Sequence, residues 1–179
     1  MLLKRLLYCT SLTLFLFLAG SLEPTLFAAL FGHFKPHLLL LLVIYASLYR
    51  TIPEGGFMSL LAGYFQDIFS GSPQGFYMLS FMLVFFTIKI LSQAFYVPGK
   101  KLEVLSIFLG TLLATLYGLV ILSIFTDHAA HFFVVFLRSA LSALWNTLIG
   151  YFLFAGFHTF DLWVGKRDTK KVITGDARS

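Results

Sequence analysis

Charge is scarce in this chain of 179 residues, because Asp, Glu, Lys and Arg together make up only 12% of it. A soluble domain carries about 25%. Hydrophobic residues reach 59%, and the mean hydropathy is +0.88. This composition excludes an ordinary soluble domain and predicts an integral membrane protein. The apolar runs are continuous and lack the alternation of a membrane strand, so they predict an all-α protein.

Cysteine and enzyme signatures are also nearly missing. The single cysteine, Cys9, excludes an intramolecular disulfide and an all-cysteine metal site. No His-Glu-x-x-His, Gly-x-Ser-x-Gly or glycine-rich phosphate loop occurs. Asp127, His128 and His131 are metal-ligand types, but their loop offers no second pair of ligands. We therefore expect no enzyme, no cofactor and no metal site.

The apolar residues form long segments that we expect to cross the membrane as six helices. These segments are Leu6–Leu22, His37–Tyr49, Phe57–Phe69, Phe76–Val97, Leu102–Phe125 and Phe132–Phe157. The first also fits a signal peptide, but the five further segments favour an uncleaved helix. The prediction is a six-helix transmembrane domain over residues 1–165 and a basic, disordered tail over residues 166–179.

Two details concern the third segment. Pro53 to Gly56 is predicted to be a short turn before it. The segment contains Gln66 and Asp67 and is short, so we expect neighbouring helices to shield it from lipid.

The positive charges predict the orientation. With six spans and a cytoplasmic amino terminus, Lys35 is the one cation in an outer loop. Ten cations lie in the inner loops and ends: Lys4, Arg5, Arg50, Lys100, Lys101, Lys166, Arg167, Lys170, Lys171 and Arg178. This bias predicts that both termini are cytoplasmic, and it explains the net charge of +5 without a nucleic-acid partner.

A polar corner follows the third segment, in the stretch Gly63-x-x-x-Asp67-x-x-Ser70-Gly71-x-Pro73-x-Gly75. A carboxylate beside hydrocarbon is costly unless it is paired or hydrogen-bonded, so Asp67 requires a partner. We expect the corner to be structural and to hold the third and fourth helices rigidly together.

Two partners for Asp67 are open. Arg138 lies in the sixth segment at a similar depth, so the two charges could pair, although Arg138 could also extend alone to the headgroups. Alternatively, the free amides of Gln74 and Gly75 could hold the carboxylate at the start of the fourth helix. In that arrangement Ser72 caps the helix and Pro73 occupies its first turn.

Other polar and small residues inside the spans have plainer interpretations. We expect Lys89 to extend to the cytoplasmic surface, with a charge that faces a partner as the alternative, and Asn146 to join helices rather than bind a ligand. Gly110, Ala114 and Gly118 form a small-residue stripe on the fifth segment. It could bind a partner helix or pack against a neighbour within the chain, and both alternatives are open.

The pattern resembles the rod shape-determining protein MreD family. The resemblance is carried by Pro36 with the Leu-rich run to Tyr45, a short polar turn, and the corner motif from Gly63 to Gly75. By this matching, the carried-over positions are Asp67, Ser70, Gly71 and Gly75. Arg138 and Asn146 match no family motif and are singled out on physical grounds only.

The resemblance implies a non-catalytic membrane scaffold subunit of the bacterial cell-elongation machinery, which synthesises peptidoglycan, located in the inner membrane. It implies binding to an MreC-like bitopic partner and, indirectly, to MreB, RodA and a class B penicillin-binding transpeptidase. The family is similar in fold to the substrate-binding subunits of energy-coupling-factor transporters. The alternative function is therefore a solute-binding membrane subunit of a transporter.

Overall fold

The computed structural model describes residues 37–94, 100–125 and 132–163. They form five helices: α1 (Leu38–Tyr49), α2 (Ile52–Ser70), α3 (Phe76–Ala94), α4 (Lys100–Phe125) and α5 (Phe132–Trp163). The all-α class is confirmed for this part of the chain. The predicted first segment, the loop with Asp127, His128 and His131, and the tail from residue 166 lie outside the described residues.

The short helix α1 is the centre of the bundle. Every side chain from Leu39 to Leu48 is buried, and α1 packs against each of the other four helices. Its sequence is apolar on all sides, which suits a helix with no lipid or water face. Its 12 residues span about 18 Å at 1.5 Å per residue, well short of the membrane's hydrocarbon thickness.

The remaining helices surround α1 in chain order, with α2 beside α3, α3 beside α4, and α4 beside α5. Neighbours alternate in direction, so the bundle has two ends. The connection from Ser70 to Gly75 lies at one, here called the corner end. Arg50, Lys89, Lys100 and Lys101 lie at the other, here called the basic end, where the Lys89 ammonium reaches the Arg50 carbonyl.

Three described helices contain segments long and apolar enough to cross a membrane: Phe76–Ala94, Lys100–Ile121 and Ser139–Thr159. The helix Leu38–Tyr49 is apolar but shorter. Together with the composition, these helices make the chain a helical membrane protein. The total of six crossings stays a prediction.

The expectations for the third segment were wrong in two respects. Pro53 to Gly56 is not a turn, because helix α2 already begins at Ile52 and includes them. The helix is also not shielded all round: Phe57 is 62% exposed and Ile68 is 53% exposed. Its small and polar residues face inward instead, among them Ser59, Gly63 and Asp67. The fully enclosed helix is α1.

Candidate functional site

Asp67 lies on the buried face of α2, one turn before that helix ends, and its carboxylate receives the first amides of α3. The N–H of Gly75 donates to Oδ2 at 2.9 Å, that of Tyr77 to Oδ1 at 2.8 Å, and that of Met78 to Oδ2 at 3.4 Å. Asp67 is only 4% exposed. It therefore supplies α3 with the cap that the first amides of a helix need, and it does so from another helix.

The charge of Asp67 suits this position. The amino end of a helix carries a partial positive charge, which favours an anion by about 0.3–1 kcal/mol, and more when partly buried. Hydrogen bonds to a charged group contribute about 1.5–3 kcal/mol each. Because Asp67 is buried, its carboxylate has little access to water and depends on these amides. The arrangement thus satisfies both sides of the corner at once.

Gly63 explains how the carboxylate reaches α3. A Cβ atom on Gly63 would lie 2.5 Å from Met78 Cα and 2.8 Å from the Tyr77 carbonyl oxygen, so the two backbones touch here. Residues four apart lie on one face of a helix, so Asp67 is directly above this contact. Only a glycine at position 63 allows the close approach of α2 to α3 that brings the Asp67 carboxylate to the amides.

The connection itself turns on two glycines. Gly71 ends α2 with φ 67° and Gly75 has φ 92°, both in the left-handed region that favours glycine. The Ser70 hydroxyl donates to Ser72 Oγ at 2.9 Å. Ser70, Gly71 and Gly75 therefore shape the path of the chain between Asp67 and the amides that it binds.

Three details of the expected corner were wrong. Asp67 accepts the amides of Gly75, Tyr77 and Met78, and Gln74 is not among its donors. Pro73 is not in the first turn of α3, because that helix begins at Phe76, and the Pro73 carbonyl instead accepts from the Phe76 N–H. The side chain of Ser72 bonds to Ser70 rather than capping α3. Asp67 takes the capping position. The side chain of Arg138 lies outside the described residues, so its pairing with Asp67 stays a prediction.

A second polar contact fastens the beginning of α1. The residue before it, His37, lacks a side-chain cap of its own. Its N–H donates to Asn146 Oδ1 at 3.0 Å, and Asn146 Nδ2 lies 3.4 Å from Thr111 Oγ1. Asn146 is completely buried. Since Thr111 lies midway along the Lys100–Ile121 segment, α1 begins near the middle of the bundle, where a free amide would be costly.

The other end of α1 is fastened by α3 and α4. The Lys89 ammonium donates to the Arg50 carbonyl at 2.6 Å, one residue past the end of the helix. A cation at this end also suits the helix dipole. The Tyr49 hydroxyl donates to Glu103 Oε1 of α4. Lys89 was expected to extend to the surface, and its contact with the end of α1 was not predicted.

The small-residue stripe faces the chain's own helices. A Cβ on Gly110 would lie 2.7 Å from Ile44 Cδ1 of α1, and Gly118 lies against the Phe76 ring of α3. The Ala114 carbonyl accepts from Ser80 at 3.4 Å. Gly110 is buried and has no surface to offer a partner. A partner contact stays a prediction for the partly exposed Ala114 and Gly118.

These contacts define a class: a helical membrane protein in which the polar groups of the apolar helices fasten helix ends to one another. Comparison with known families gives a more specific assignment. The family model described as rod shape-determining protein MreD matches residues 2–160. The chain belongs to the MreD family, and a role in determining rod shape follows. No curated protein and no solved structure matches the chain.

Proposed function

We propose that this protein is a non-catalytic membrane scaffold of the bacterial cell-elongation machinery, with six spans and both termini in the cytoplasm of the inner membrane. It binds the transmembrane helix of an MreC-like bitopic protein. Through that protein it connects to MreB, RodA and a class B penicillin-binding transpeptidase.

The observation that carries this proposal is the use of Asp67. Its carboxylate accepts three backbone amides inside the chain, so it serves to hold two helices together. Lys89 and Asn146 likewise bond to the ends of α1. Polar groups committed to internal contacts favour a rigid platform over a carrier whose charges move with a solute.

The core supports the same conclusion. The side chains of α1 fill the space between the surrounding helices, and Leu39, Leu41 and Ile44 are completely buried there. A solute-binding subunit instead needs a concave pocket with several convergent polar groups. In lipid, a partner helix binds a fixed surface by close packing, because helices gain no hydrophobic free energy from contact.

The test is co-purification from membranes. The tagged full-length chain is expressed with the MreC-like protein of the same bacterium, and the variants Gly63→Ala and Gly156→Ala are compared with it. At Gly63 the backbones of α2 and α3 are in contact, so an added Cβ would collide with α3. An added Cβ on Gly156 would have nothing within 4 Å. We expect the wild type and Gly156→Ala to retain the partner and Gly63→Ala to lose most of it at equal membrane insertion.

Absence of the MreC-like protein from the purified wild type would overturn the scaffold proposal. So would a stoichiometric small molecule bound to the wild type, which would favour the carrier. A cellular readout complements the experiment: in a rod-shaped bacterium depleted of its own MreD, the wild type and Gly156→Ala should restore rod shape, and Gly63→Ala should not.

A further inference from the structure

One lysine, Lys100, contacts a tyrosine on the outer surface of the α4–α5 pair, at the basic end, and Lys101 follows it in the chain. Lys100 and Lys101 begin α4, and both are exposed. The Lys100 ammonium donates to the Tyr151 hydroxyl of α5 at 3.3 Å and lies 5.7 Å from the centre of its ring. The ammonium therefore lies over the line of contact between the two helices.

Below this charged group, the side chains along the contact between α4 and α5 are apolar and exposed. Val104 lies one turn along α4 from Lys100 and is 38% exposed. Leu148 and Leu144 precede Tyr151 by one and two turns on α5 and are 56% and 59% exposed. The helices are antiparallel, so both rows lead away from the basic end, into the membrane. Lys100, Lys101 and Tyr151, together with these three apolar side chains, are here called the seam.

The acid in the first turn of α4 does not neutralise the positive charge of the seam. The acid in that turn, Glu103, accepts the hydroxyl of Tyr49, which belongs to the central helix. Glu103 is thus directed toward the core, away from the outer surface. The amino end of α4 adds its own partial positive charge at the same place. A ligand that complements the seam has an anionic head and a hydrocarbon tail.

We propose that the seam binds an anionic phospholipid. Its phosphate accepts from the ammonium groups of Lys100 and Lys101 and from the Tyr151 hydroxyl, and one acyl chain lies along Val104, Leu148 and Leu144. The lipid bridges α4 and α5 at the basic end, where the headgroups of the facing leaflet are located. This inference does not depend on the scaffold function.

The test uses the purified full-length chain and two phospholipids with identical acyl chains, phosphatidylglycerol and phosphatidylcholine. Native mass spectrometry counts the bound lipids, and the thermal midpoint is measured with each. We expect phosphatidylglycerol to bind preferentially and to raise the midpoint. The double variant K100Q/K101Q should lose both effects, and Tyr151→Phe, which keeps the ring, should weaken them.

The matched control is K170Q/K171Q, which removes the same two charges from the tail. It should bind phosphatidylglycerol as the wild type does. Equal loss in both double variants would mean that overall charge attracts the lipid, and it would overturn the site. So would a wild type with no preference, or an unchanged preference in K100Q/K101Q. If that variant instead loses a co-purifying protein, the seam is a protein contact.

Discussion

Replacing Gly63 with alanine tests the close approach of α2 to α3. The new methyl group would lie 2.5 Å from Met78 Cα and 2.7 Å from its nitrogen. Carbon atoms in contact are normally about 3.5–4.0 Å apart. The obstructing atoms are backbone, which cannot rotate away as a side chain can, so the helices must separate locally by about 1 Å to regain that distance.

This separation acts on Asp67 one turn further along. Its bonds of 2.9 Å and 2.8 Å to Gly75 and Tyr77 would lengthen past about 3.2 Å, the usual limit for such bonds. Overpacking costs about 1–3 kcal/mol, and one charge-assisted bond about 1.5–3 kcal/mol. Alanine returns about 1 kcal/mol of helix propensity. The expected net loss of unfolding free energy is about 1.5–5 kcal/mol.

The free energy of unfolding is measured by titrating the detergent-solubilised chain with sodium dodecyl sulfate and following its helicity. Gly156→Ala is the control, because that position is exposed and its added methyl group has nothing within 4 Å. It should be neutral or slightly stabilising. If Gly63→Ala is as stable as the wild type, or if Gly156→Ala loses as much stability, the close contact at Gly63 does not hold α2 against α3.

Two further predictions concern the ends of α1. Lys89→Met keeps the apolar stem but removes the donor to the Arg50 carbonyl, so the same titration should show a loss of unfolding free energy of about 1–3 kcal/mol. The control, Lys101→Met, changes an exposed site and should show little change. Equal losses in the two variants would argue against the contact. Asn146→Leu leaves the His37 amide without its acceptor and should cost a similar amount, about 1–3 kcal/mol. Its control is Thr147→Val, whose hydroxyl bonds only within its own helix, and an Asn146→Leu variant as stable as this control would contradict the prediction.

The sequence predicted the features that depend on composition and on local patterns. Continuous apolar runs predicted helices, and the positions of α1 and α3 to α5 agree with the predicted segments apart from their ends. The requirement of Asp67 for a partner followed from the cost of a carboxylate near hydrocarbon. The corner was predicted at the stretch that contains Gly71 and Gly75, and both glycines adopt the left-handed backbone.

Features that depend on which helices are neighbours were not predictable in this way. The segment of α1 was predicted to cross the membrane, but its burial by four helices is a property of the bundle. Lys89 was assigned to the surface, because one sequence does not reveal that the Arg50 carbonyl lies beside it. One signal was available: α1 is short and brings no side-chain cap of its own, so other helices must supply partners for its ends.

The corner depends on the Asp67 carboxylate, which holds the start of α3 through the backbone amides of that helix. The most direct test is amide hydrogen exchange at Gly75, Tyr77 and Met78, measured by NMR on the labelled chain in micelles, for the wild type and Asp67→Ala. We expect slow exchange in the wild type and a marked acceleration at these three amides in the variant, with Val84 and Phe85 further along α3 unchanged. Equal rates at the three amides in both proteins would contradict it.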